Sequence, residues 1–304
     1  MEKNIGFNDK YNFGVEIEFA NKEKTLSEIY DKSKEYIPSL KFLFNHKSYD
    51  NSFNCSILDE DTSVTTVNHK EFYGGEISSR ILSDDYDSWN EIEKICKLLI
   101  DNNSFIDCNC GEHINIDISR YLENPNFFET LYKLLLVYEP EIELFYNGEK
   151  NYTRETKYRY ACSMRKRLFD NIEKVDFNNR YFIDNIRHKS RAFRINDGLS
   201  FYKLYNCGKL IEIRYPNGTL NPDIIQNNIN FSLSILSAIE DKKIDIDLLN
   251  YLIEQAKQDQ SIFNDNFNLY FQASPKIDSL LNQICQNEKS RDNFTQQYQK
   301  ILTR

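Results

Sequence analysis

Cys110-Gly111-Glu112-His113-Ile114-Asn115-Ile116-Asp117-Ile118 alternates with a period of two residues. Ile114, Ile116 and Ile118 fall on one side, and His113, Asn115 and Asp117 on the other. This is the pattern of a half-buried β-strand with its apolar side to a core. A solvated strand face favours Thr, Lys or Glu. This one carries an imidazole, an amide and a carboxylate, all potential metal ligands. Taken alone, His113 reads more simply as a satisfied structural histidine beside a strand end.

Other stretches are built the same way. In Phe13-Gly14-Val15-Glu16-Ile17-Glu18-Phe19, the apolar residues share one face and Glu16 and Glu18 share the other. Two residues along a strand span about 6.5–7 Å, so these carboxylates repel unless a cation sits between them. In Leu210-Ile211-Glu212-Ile213-Arg214-Tyr215, Glu212 and Arg214 alternate with apolar residues, and Gly74-Gly75-Glu76-Ile77-Ser78 is a weaker fourth case. Each glutamate alone is explained by a solvated face. Together they place acids, one histidine and one arginine on the polar sides of several strands.

The bulk properties bound the class. A chain of 304 residues carries a soft prior of two domains, and its 20 Tyr and 21 Phe are ample for a sizeable core. The formal net charge of −9 argues against duplex nucleic acid as a partner. No apolar run reaches the length of a membrane span and the N-terminus lacks a signal-peptide core, so the expected compartment is cytoplasmic. Seven irregularly spaced cysteines outline no disulfide framework. Cys108-Asn109-Cys110 with His113 resembles half a zinc site, but no second ligand pair follows, and free buried thiols are the simpler expectation.

Along the chain, a strand is expected at 11–20. Leu26, Ile29, Tyr30 and Ile37 have helical spacing, closed by Pro38. Short strands and loops follow over 40–82, including Ser63-Val64-Thr65-Thr66-Val67. A helix over 84–101 has the stripe Trp89, Ile92, Ile95, Cys96, Leu99 and Ile100. Pro125 suits the first turn of another helix, which Pro140 kinks or divides. The segment 154–194 is basic and reads either as a solvated helix face or as an anion-binding rim. Residues 199–215 form a hairpin, Asn217-Gly218 a turn, and Asn221-Pro222 a helix start. From 223 onward the pattern is helical. A boundary near Glu240–Lys243 divides the chain into 1–240 and a helical extension, 241–304.

Phe13-Gly-Val-Glu-Ile-Glu-Phe19, Asp61-Thr-Ser63, Glu76-Ile-Ser-Ser79, Cys110-Gly-Glu-His113-Ile-Asn115 and Ile211-Glu-Ile-Arg214, in this order, resemble the amidoligase family. These are carboxylate–amine ligases with the fold of glutamine synthetase and glutamate–cysteine ligase. The resemblance covers residues 11–235. It implies an α+β fold: a curved antiparallel sheet with helices on its convex face, and ATP, Mg²⁺ and substrates on the concave side. It also implies roles. Glu16 and Glu18 would ligate two different Mg²⁺ ions, Glu76 joining one and His113 with Glu212 the other. Arg214 would contact the transferred phosphoryl group, and Asp61 would lie near the incoming amine. Arg214, Asn115 and the basic Arg154, Lys157 and Arg194 would contact the nucleotide. Asn196 matches an asparagine before the final strand pair. Two positions depart from the family pattern. Asn115 stands where a second histidine is common, and Ser79-Arg80 replaces Ser-Pro. An amide can ligate Mg²⁺ or bond a phosphate but cannot act as a base.

The expected activity is therefore an ATP- and Mg²⁺-dependent ligase that joins a carboxylate to an amine through an acyl phosphate. Its partners are those two substrates, with neither nucleic acid nor membrane involved. Two rivals use the same residues. One is a metal-dependent hydrolase or phosphoryl or nucleotidyl transferase. The other is a non-catalytic binding module retaining the fold.

Overall fold

The structure, a computed structural model, describes residues 10–43, 54–65, 73–147, 161–173, 175, 177, 197–201, 203–204, 208–258 and 276–302. Its centre is a seven-stranded sheet in the order β2-β3-β4-β1-β5-β7-β6. The strands are β1 (Phe13–Asn21), β2 (Lys41–Leu43), β3 (Ile57–Glu60), β4 (Tyr73–Ser78), β5 (Glu112–Asp117), β6 (Leu199–Ser200) and β7 (Leu210–Ile213). Neighbouring strands run antiparallel except at one edge, where β2 is parallel to β3 and departs from the all-antiparallel expectation. The expected hairpin over 199–215 is the β6–β7 pair.

Helices share one core with the apolar face. They are α1 (Leu26–Ser33), α2 (Thr62–Thr65), α3 (Tyr86–Asp101), α4 (Pro125–Tyr146), α5 (Arg165–Asn171), α6 (Pro222–Glu240), α7 (Ile246–Gln258), α8 (Lys276–Ile284) and α9 (Glu288–Leu302), of which α2 lies elsewhere. Phe13, Val15, Ile17 and Phe19 join Ile77, Ile114, Ile116, Ile211 and Ile213 in one core with Trp89, Leu131, Phe145 and Phe231. The rings of Phe13 and Trp89 lie 5.4 Å apart, and those of Phe145 and Phe231 3.9 Å. The α3 stripe holds except at its last member: Ile100 is exposed and Leu98 is buried in its place. Asn221 caps α6 through the Asp223 N–H, with Pro222 in the first turn.

The stretch from Ser63 was expected among strands and loops, and residues 62–65 are helical instead. The Asp61 carboxylate accepts the Ser63 N–H at 2.7 Å. This local cap outweighs the β preference of Val64 and Thr65. Val64 then packs on Ala20 and Cys110 at one end of the polar face of the sheet.

Pro140 neither divides nor ends α4. A proline has no N–H for the carbonyl four residues back. That carbonyl belongs to Leu136, and the Arg165 Nε donates to it at 2.9 Å. Next to the proline, the buried Glu139 carboxylate accepts from Ser163 Oγ and from the Met164 and Arg165 N–H groups at 2.6–2.8 Å, and from the Tyr215 hydroxyl. Gly198 is required against that tyrosine, since a Cβ there would meet the Tyr215 ring at 1.8 Å. Arg165→Ala orphans the Leu136 carbonyl inside the protein. It should lose about 1–3 kcal/mol of stability, read from urea unfolding with an unchanged slope. A loss confined to a few tenths would mean that the carbonyl is satisfied some other way.

Glu112 shares its parity with Ile114 and points into the core, fully buried. Burial pushes its carboxyl well above the usual range, and an Asn228 amide hydrogen bond offsets this only in part. Asn228 in turn accepts from Gln297 at 2.9 Å. Helix α9 is thereby tied to the strand that carries His113. The six described cysteines are free thiols, and the Cys110 thiol donates to Asp107 rather than joining His113. Among the described residues, no helix is long and apolar enough to cross a membrane.

Candidate active site

Strand register gathers the polar residues. Glu16 on β1 lies opposite His113 on β5, Glu18 opposite Glu76 on β4, and Asn115 opposite Glu212 on β7. Cross-strand neighbours have Cβ atoms about 4.5–5.5 Å apart, and like charges placed so destabilise a sheet. Asp59 on β3 lies opposite Glu76, extending the acidic row on the same face.

The imidazole stands at the middle of this cluster. Its Nδ1 is 3.2 Å from Glu16 Oε2 and 3.8 Å from Glu212 Oε1, and its Nε2 is 3.5 Å from Glu18 Oε1. Glu16 Oε1 accepts from the Asn115 amide at 2.8 Å and from Lys203. Glu212 Oε1 accepts from Arg214 at 3.0 Å and forms an ion pair with Lys203 at 3.1 Å. Glu18 Oε2 takes the Gly111 N–H at 2.5 Å, and Glu76 takes the Ser78 hydroxyl at 2.8 Å.

Environment divides Glu16, Glu212 and Glu76. Burial works against the charged form of Glu16, but the Lys203 ammonium and the His113 hydrogen bond outweigh it and hold its carboxyl well below the usual range. Glu212 is likewise lowered despite burial, by Lys203 and then Arg214. Glu76 goes the other way. Burial, then the charges of Glu16, Glu18 and Asp61, push it well up, and the Ser78 hydrogen bond offsets this only in part.

The residues fit a divalent cation. Glu16, His113 and Glu212 form one set of ligand atoms within 4.8 Å of one another, and Glu18, Glu76 and His113 form another. His113 Nε2 and Asn115 Oδ1 are buried without a hydrogen-bond partner. If Nδ1 donates to Glu16, Nε2 is left as an acceptor facing a carboxylate, an arrangement that a cation between them relieves. Oxygen-rich sets suit Mg²⁺ and tolerate one imidazole. Because His113 belongs to both sets, its expected partnership with Glu212 is one of two that the geometry permits.

The remaining predicted residues fall elsewhere. Asp61 follows β3, adds to the field on Glu76 and caps α2. Arg154, Lys157, Arg194 and Asn196 lie outside the described residues. Of the basic segment, Arg165 and Arg167 are engaged structurally, with the Leu136 carbonyl and the buried Asp197. Lys203 escaped the sequence reading. It sits in a short stretch with no alternation, and only the fold shows its ammonium among the acids. Asp59 also escaped it, because Ile57 on the same strand face and the adjacent Glu60 blur the alternation that buried Leu58 alone carries.

Acids cluster around one imidazole here, with the Lys203 ammonium and the Arg214 guanidinium alongside. The family profile described as "putative amidoligase enzyme" matches residues 9–236. The chain belongs to this amidoligase family. No curated protein matches it by sequence.

Proposed function

We propose that the protein is an ATP- and Mg²⁺-dependent carboxylate–amine ligase. The observation that carries this is the pair of buried ligand sets around His113, next to Arg214, in a chain of the amidoligase family. Glu18 with Glu76, and Glu16 with Glu212, would hold the cations, His113 completing one set. Bound divalent cations supply charge neutralisation for a triphosphate and polarise its phosphoryl oxygens.

The chain's own groups do the rest. A carboxylate oxygen of the first substrate attacks the γ-phosphorus of ATP, and ADP departs, leaving an acyl phosphate. The second substrate's amine attacks the acyl carbon, loses a proton and expels phosphate. Catalysis of the first step is mostly positioning and charge stabilisation. Arg214 presents a planar fork suited to phosphoryl oxygens. Asn115 orients Glu16 through its amide. Asp61 is the candidate near the amine, and Arg154, Lys157 and Arg194 are candidates for further phosphate contacts. The sheet is read as the curved catalytic sheet of the glutamine synthetase fold, with residues 1–240 as the catalytic unit and 241–304 as an extension.

Mg²⁺ and ATP together should stabilise the protein against heat by mass action, about 2.7 kcal/mol at a hundredfold excess over Kd. That is several degrees for a chain of this size. Neither alone should match the pair, because bridging phosphates complete the metal shell. Equal melting temperatures with and without the pair at millimolar concentration would sink the proposal. Stoichiometric ADP and amide favour the ligase, whereas metal-dependent turnover without nucleotide favours a hydrolase.

A further inference from the structure

Lys203 stands where one of the two ligand sets would take its cation. Its ammonium donates to Glu16 Oε1 and lies 3.1 Å from Glu212 Oε1. These two carboxylates, with His113, are one of the sets whose ligand atoms converge within 4.8 Å. The contact is enclosed: the Lys203 side chain is 13% exposed and that of Glu212 4%. A cation between Glu16, His113 and Glu212 meets the ammonium at both carboxylates: Glu212 Oε1 lies 3.8 Å from His113 Nδ1 and 3.1 Å from Lys203, and on Glu16 the ammonium holds the oxygen next to the one facing the imidazole.

The two cannot share them. Positive charges a few ångströms apart in a poorly solvated site repel by several kcal/mol at an effective dielectric of about 20. Two divalent ions would also balance Glu16, Glu18, Glu76 and Glu212 by themselves, leaving Lys203 and Arg214 uncompensated. Of the two, lysine is the group suited to leave. It carries a compact charge on a flexible four-carbon stem, whereas arginine presents a rigid fork.

We propose that Lys203 is the resting protein's own counterion in the Glu16–His113–Glu212 site, and that a divalent cation displaces it. Displacement frees an ammonium beside the cation, where an anionic substrate would meet it. The inference rests on the metal-binding half of the proposed function and is independent of the ligase chemistry.

Two measurements with Mg²⁺ alone test it. In isothermal titration calorimetry, Lys203→Gln should bind Mg²⁺ more tightly than wild type by about tenfold or more, since the ion no longer has to break charge-assisted hydrogen bonds. A gain in affinity would also follow from charge alone, so the second measurement follows the wild-type side chain. Acetic anhydride acylation, read by peptide mass spectrometry against the exposed Lys94, should modify Lys203 slowly without metal and several-fold faster in saturating Mg²⁺. Unchanged or slower acylation while calorimetry shows Mg²⁺ bound overturns the displacement and leaves the metal site standing. Equal or weaker affinity in Lys203→Gln also overturns it. If wild type binds no Mg²⁺ at millimolar concentration, the metal half of the proposed function fails, and this inference with it. Should Lys203→Gln not fold, the wild-type acylation decides alone.

Discussion

Glu16→Gln is expected to weaken Mg²⁺ binding by more than about 100-fold, beyond the loss typical of an outer-shell partner, and to abolish the added thermal stability from Mg²⁺ with ATP. The variant keeps the shape and removes the charge. Without metal, its stability should fall rather than rise. Crowded carboxylates by themselves predict the reverse, because neutralising one relieves repulsion. Lys203 changes the sign. Glu16 accepts from that buried ammonium, from His113 and from Asn115, so its loss leaves Lys203 with Glu212 and removes part of a paired network. A loss of about 3 kcal/mol is expected, the lower end for breaking a buried pair, since one partner remains. Glu76→Gln supplies the contrast. Its carboxyl is raised by burial and by three acids, so the variant should equal or exceed wild type without metal.

The pH dependences should also be opposite. Glu16 has a lowered folded-state pKa, so its contribution is present above the ordinary carboxylate range and lost as pH falls through and below that range. Glu76 has a raised one. Its penalty is absent below the ordinary range and grows as pH rises through it, because the unfolded chain ionises first. Metal-free urea unfolding from about pH 2 to 8 reads both. If Glu16→Gln proves more stable than wild type at pH 7, the Lys203 pairing contributes nothing and repulsion governs the site.

The strands of this site were legible because the period of two is unambiguous where Ile, Val and Phe alternate with acids. Once β1 lies between β4 and β5, register brings Glu16 to His113 and Glu18 to Glu76. The strand order itself was not legible, since alternation says nothing about which strand is the neighbour. Nor was Lys203, whose position depends on where the chain after β6 crosses the polar face. Local composition left two outcomes undecided. The β-branched residues after Asp61 lie in a helix because a carboxylate caps it. Pro140 leaves α4 whole because Arg165, 25 residues away in sequence, replaces the missing donor. Both outcomes depend on contacts that no local propensity encodes.

Arg214→Lys separates a structural arginine from a phosphoryl clamp. Arg214 Nη1 is 3.0 Å from Glu212 Oε1, and the Glu212 charge, with those of Glu16 and Glu18, raises its pKa against the opposing effect of burial. If that ion pair were its whole role, lysine would restore most of it, as an ammonium can reach the same carboxylate. The variant should therefore fold normally, with its metal-free midpoint in urea close to that of wild type. Its Mg²⁺–ATP affinity should stay within about tenfold, because much of the interaction is reserved for the transition state. Turnover is the quantity expected to collapse. A planar fork offers two aligned donors to the equatorial oxygens of the transferring group, and a lysine offers one mobile point charge. Arginines that stabilise phosphoryl transition states are worth on the order of 10³-fold or more. Because Glu212 already engages one arm of this guanidinium, a fall of about two orders of magnitude is the minimum expected. The measurement is ADP release at saturating Mg²⁺–ATP, with carboxylate and amine present or as background ATPase without them. Near-wild-type release would remove Arg214 from the chemistry and assign it to holding Glu212. The case for a ligase would then rest on the cation ligands and family membership.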